Sequence, residues 1–154
     1  MAFRPLVIPA ITASLIAGNV LPANSQGMSF RNVEIQPIKI LNHSTTVLGQ
    51  KYEFPAKEPV IYPFKAIMKR GTSTVWHKHG FPVIINIISG SLTVDYGSKG
   101  RITFRPGSHF VEAIDWCLRG SASEDEDVVM TATILAERAP GLAKGINQKC
   151  RGSQ

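Results

Sequence analysis

Beyond residue 30 the apolar positions of this chain alternate with polar ones. Val33, Ile35 and Pro37 alternate with Glu34 and Gln36, and Ile38 and Ile40 flank Lys39. Side chains on a strand point to opposite faces in turn, so this period of two predicts strands with one buried face. Residues 60–68 form a longer strand-like run, and Pro63 within it predicts a sheet edge or a bulge, because proline cannot donate to a ladder. Residues 83–88 are apolar except for Asn86, which fits a strand buried on both faces or one at a subunit contact. Leu92 to Tyr96 alternates again. Gly97-Ser98-Lys99-Gly100 predicts a hairpin loop, with Ile102-Thr103-Phe104 as the return strand. Pro106-Gly107 predicts a turn, residues 109–112 a short extended piece, and residues 128–135 the last strong strand.

Short strands with turns about every 8–12 residues predict an all-β sandwich or barrel. Ten prolines and 13 glycines suit this better than long helices, and no helical period follows residue 30. A length of 154 residues is that of one domain. From residue 137 onward the apolar period fades, so 137–154 reads as a loose C-terminal tail.

The first 25 residues differ. Arg4 is the only charge before Arg31, and a short apolar stretch runs from Leu6 to Ala17. Ala23-Asn24-Ser25 then offers small residues at the positions a signal peptidase reads. This pattern predicts a secretory signal over 1–25, a body over 26–136 and a periplasmic or secreted product. Pro9, Thr12, Ser14, Gly18 and Asn19 interrupt the apolar stretch, whereas a membrane span wants about 20 unbroken apolar residues.

Charge excludes some classes. The formal net charge is +6, but the basic residues are scattered and carry no interleaved aromatics, which argues against a nucleic-acid surface. Glu124 to Asp127 form an acidic run that lacks the ligand spacing and glycine of a calcium loop, so a solvated turn is expected.

The densest chemistry is Trp76-His77-Lys78-His79. On a strand His77 and His79 share a face, with Lys78 turned away. Two imidazoles are short of the three or four ligands that a metal needs. The only cysteines are Cys117 and Cys150. Cys117 can be a buried apolar residue, a thiolate ligand or half of a disulfide with Cys150, and the last two exclude each other.

The run Gly71, five residues, His77-x-His79, three residues, Val83, six residues, Gly90 resembles the first motif of the cupin superfamily. That motif has a glutamate where Val83 stands. Gly107, Glu112, Cys117 and Ser121 resemble the second motif, allowing one missing residue before Cys117. In that alignment Cys117 and Ser121 occupy the places of its histidine and asparagine. The resemblance covers about residues 33–136 and implies a small antiparallel double-sheet jelly-roll barrel. It also implies a ligand pocket in the barrel mouth, to which Trp76, Val83 and Glu112 are assigned, and a metal held by His77, His79 and Cys117. Two imidazoles and a thiolate favour zinc or copper over the iron or manganese of the family, and a metal-free pocket is the alternative. Three functions follow as expectations: a small-molecule-binding protein with a weakened metal site, a metal-dependent oxygenase or isomerase with Glu112 as acid/base, or a homodimeric interaction protein using Trp76, Phe81 and the strand 83–88.

Overall fold

A computed structural model describes residues 37–138 and 148–150. The expected signal, residues 1–25, and the alternating residues 33–36 lie outside the described part. Nine strands follow in order: β1 (Pro59–Met68), β2 (His77–Lys78), β3 (Val83–Ser89), β4 (Leu92–Asp95), β5 (Arg101–Phe104), β6 (His109–Val111), β7 (Arg119–Ala122), β8 (Val128–Glu137) and β9 (Gln148–Lys149). The only helical element among the described residues is one 3-10 turn, Gly97–Lys99, at the tip of the β4–β5 hairpin.

The strands form a four-stranded sheet of order β1-β8-β3-β6, a three-stranded sheet β5-β4-β7 and a small pair β2-β9, antiparallel throughout. The double-sheet architecture is the expected one. The sheets are not closed into a barrel, and β1 stays an edge strand, as Pro63 predicts.

Alternation fills the space between the two larger sheets. Val83, Ile85 and Ile87 of β3 turn inward, as do Leu92 and Val94 of β4, and Met130, Ala132 and Ile134 of β8; all are buried. Burying each large aliphatic side chain contributes about 1.5–3 kcal/mol. Phe104 of the smaller sheet stacks on Phe110 of the larger, with ring centroids 3.7 Å apart. β3 lies between β8 and β6, and its apolar run supplies Val83, Ile85 and Ile87 to the core; Ile88, where a bulge shifts the register, is exposed.

The glycine after β3 is a steric necessity. Gly90 has φ +78°, and a Cβ there would lie 2.4 Å from the Asp127 carbonyl oxygen and 2.8 Å from Val128 Cα. The acidic run forms the solvated turn before β8. In it Asp127 pairs with Lys69 at 2.8 Å and accepts the Arg70 N–H at 2.9 Å, and both contacts hold its carboxyl below the ordinary range.

The tail differs from expectation in two places. Residue 137 ends β8, and residues 148–150 are fastened to the body. Lys149 pairs with His77 and Gln148 with Lys78, and Cys150 N–H donates to the Trp76 carbonyl at 3.1 Å. A disulfide joins Cys150 to Cys117, with their Cα atoms 6.1 Å apart.

Candidate functional site

A cavity of about 210 Å³ opens between the two larger sheets. Phe64, Ala66 and Met68 of β1, Val83 and Ile85 of β3, Leu92 and Val94 of β4, and Met130 and Ala132 of β8 supply an apolar wall. Leu118 and Gly120 complete it. The polar groups that line it are Thr74, His77, His79 and Glu112. Phe64 is 46% exposed and marks the rim, whereas Glu112 is 2% exposed and lies deep.

Backbone pairing sets the two histidines. His77 exchanges hydrogen bonds with Leu118, N–H to carbonyl at 3.0 Å and 2.8 Å, and the His79 carbonyl accepts from Asp115 N–H at 2.7 Å. The rings meet edge to face, centroids 5.1 Å apart. Lys78 turns outward to Asp115 at 3.0 Å. The His77 Nδ1 lies 2.8 Å from the Val75 carbonyl, which can only accept. Nδ1 therefore carries a proton, and in the neutral ring Nε2 presents a lone pair.

Glu112 follows β6, which aims it between the sheets. Its Oε1 accepts the Tyr96 hydroxyl at 2.8 Å and the Ala113 N–H at 2.7 Å. Burial disfavours the charged form and lifts this carboxyl to about 7, although both donors pull it down. Tyr96, 0% exposed, is raised well above the ordinary phenol range by burial and then by Glu112 beside it.

The structure thus brings Val83, Glu112, His77 and His79 to one cavity. Cys117 and Trp76 lie elsewhere. Leu118 lines the cavity, whereas its neighbour Cys117 is not among the lining residues and is bonded to Cys150. This corrects its assignment as a thiolate ligand, since a disulfide sulfur offers no thiolate. Trp76, next to His77, instead lines a groove shared with Ser73, Arg119, Lys149 and Cys150. Ser121 Oγ lies 2.8 Å from Ser73 Oγ.

The donor set does not fit the metal centre implied by the resemblance. Val83 stands in the glutamate position and Cys117 is committed to the bridge. Among the described residues no three His, Cys, Asp or Glu side chains gather closely enough to hold an ion. Two imidazoles remain, and no catalytic step through a metal follows from them.

Thr74, Tyr96 and Leu118 carry no sequence signal for this site. Tyr96 ends a strand 16 residues before its partner Glu112, and only the fold joins them.

No family model matches the sequence, and no curated protein matches it. Several of the solved structures it resembles are described as cupin or cupin-like proteins. One, described as DMSP lyases RdDddP and RnDddQII, is 12% identical with a TM-score of 0.48, over 59% of this chain and 44% of that one. A cupin-like protein from Thermotoga maritima is 14% identical with a TM-score of 0.45, over 55% of this chain and 69% of that one. The polyketide cyclase RemF from Streptomyces resistomycificus is 17% identical with a TM-score of 0.47, over 64% and 65%. The chain spans less than half the length of the first of these.

Proposed function

We propose that this chain is an exported, cupin-like binding protein that takes a small molecule into the two-sheet cavity without a metal. The observation that carries the reading is the cavity itself: an apolar wall with a few convergent polar groups, one of them a buried carboxyl titrating near neutrality. An empty apolar cavity of about 150 Å³ holds benzene, so about 210 Å³ suits a single ring or a short aliphatic chain. The signal-like pattern of residues 1–25 supports export, and so does the Cys117–Cys150 bridge, because disulfides persist in oxidising compartments. Intact mass of protein from native cells tests export, with a mature chain starting near Gln26 expected and a full-length cytoplasmic chain contradicting it.

Benzyl alcohol is a suitable neutral probe for the cavity. Saturable binding by ligand-observed NMR is expected in EDTA-treated protein, and it is lost in Ala132→Leu, which fills the cavity from β8. Undiminished binding in a folded Ala132→Leu protein would place the ligand elsewhere.

One further observation favours self-association beside this function. The edge strand β1 exposes Ile61, Tyr62, Phe64 and Ile67, an apolar edge that a second copy of the chain would cover by pairing β1 with β1.

A further inference from the structure

Although the chain as a whole is basic, among the described residues the formally charged side chains that line the cavity include a carboxylate and no lysine or arginine. Glu112 contributes a carboxyl at its deep end. His77, with Nδ1–H spent on the Val75 carbonyl, contributes a ring nitrogen lone pair. Thr74 Oγ1 accepts the Gly120 N–H at 3.0 Å, which leaves its hydroxyl proton to donate. At the rim, the face of Phe64 is a negative quadrupole. A ligand that brought a carboxylate or phosphate would meet no fixed positive charge and would stand against Glu112. A ligand that brought an ammonium group would meet a carboxylate, a lone pair and an aromatic ring.

From this we infer that the cavity selects a small primary amine with a compact apolar body, its ammonium hydrogen-bonded to Glu112 and its body against Val83, Leu92 and Met130. This inference rests on the binding function proposed above and narrows its ligand class. The titratable groups that line the cavity with Glu112 are His77 and His79, and Tyr96 donates to it from the end of β4. Near pH 8 the carboxyl is mostly ionised, so an ammonium group there would meet a negative charge.

Three probes of one shape separate the outcomes: benzylamine, benzyl alcohol and benzoate, titrated calorimetrically into EDTA-treated, disulfide-intact protein near pH 8. Benzylamine is expected to bind about tenfold or more tightly than benzoate, the size of one buried charge-assisted hydrogen bond. Glu112→Gln should remove most of the preference for benzylamine over benzoate. Should Glu112→Gln fail to fold, the wild-type comparison alone decides. Equal or tighter binding of benzoate overturns the amine inference and leaves the cavity as a binding site. Failure of all three probes, benzyl alcohol included, overturns the binding function itself.

Discussion

Tyr96 and Glu112 form a buried pair in which the phenol donates to Oε1 at 2.8 Å, and both side chains are sealed from solvent. The pair joins the end of β4 to the loop after β6 and so ties one sheet to the other. It also makes the fold sensitive to pH in a direction unusual for a carboxyl.

The sign follows from proton counts. The Glu112 carboxyl titrates at about 7 in the folded protein and at the ordinary glutamate value of 4.5 in the unfolded chain. Between these values the folded state holds a proton that the unfolded state has lost. Stability is therefore greatest, for this group, below the unfolded value. It falls as pH rises toward 7 and levels off above, with a total loss of about 3 kcal/mol. Urea unfolding at pH 5 and pH 8 checks this, and Glu112→Gln should remove most of the difference.

Removing the phenol has a second effect. Tyr96→Phe deletes a donor that lowers the Glu112 carboxyl, so the carboxyl should rise further and the variant should lose about 1–3 kcal/mol. NMR titration of the Glu112 side-chain carbon reads the shift directly.

The Cys117–Cys150 bridge closes a loop of 33 residues and pins β9 to His77 and Lys78. Reduction, or Cys150→Ala, should lower stability by about 3–4 kcal/mol in the chain-entropy account. The reduced protein should still take up far less than one zinc or copper per chain, because Cys117 is not among the residues that line the cavity with His77 and His79. Elemental analysis after reduction gives the answer, and stoichiometric metal lost on Cys117→Ser would show the thiol turning inward.

Two glycines with similar φ should respond differently to alanine. Gly90 and Gly100 have φ +78° and +87°, but only Gly90 has backbone atoms where a Cβ would go. Gly100 has φ +87° and ψ −161°, a region nearly confined to glycine, so Gly100→Ala should cost about 1–3 kcal/mol. Gly90→Ala adds a collision with residues 127 and 128, and a loss above about 4 kcal/mol or failure to fold is expected. Thermal unfolding of the two variants makes the comparison.

Much of the sheet was legible because alternation reports strands directly. The run 83–88, the 92–104 hairpin and the edge character marked by Pro63 are read from period and punctuation alone. The short strand β7, Arg-Gly-Ser-Ala, has no such pattern, and its place is set by pairing with β4. At the site, the shared face of His77 and His79 follows from strand parity. Trp76 and Cys117 each adjoin a cavity-lining residue, His77 and Leu118, but do not line the cavity themselves, and spacing along the chain does not tell such neighbours apart. For Cys117 the motif alignment allowed a one-residue gap. The disulfide was one of the open readings of Cys117. Spacing alone could not choose it, because β9 reaches Cys117 only through pairing with β2.

The central claim is that the cavity binds a small molecule with its own side chains and needs no metal. The most direct measurement follows the methyl resonances of Val83, Ile85, Leu92 and Val94 while benzyl alcohol is titrated into EDTA-treated protein, with and without added zinc. Saturable shifts of these methyls, the same in both titrations, are the predicted result. Methyls that stay still until zinc is added, or shifts confined to residues outside the cavity, would contradict it.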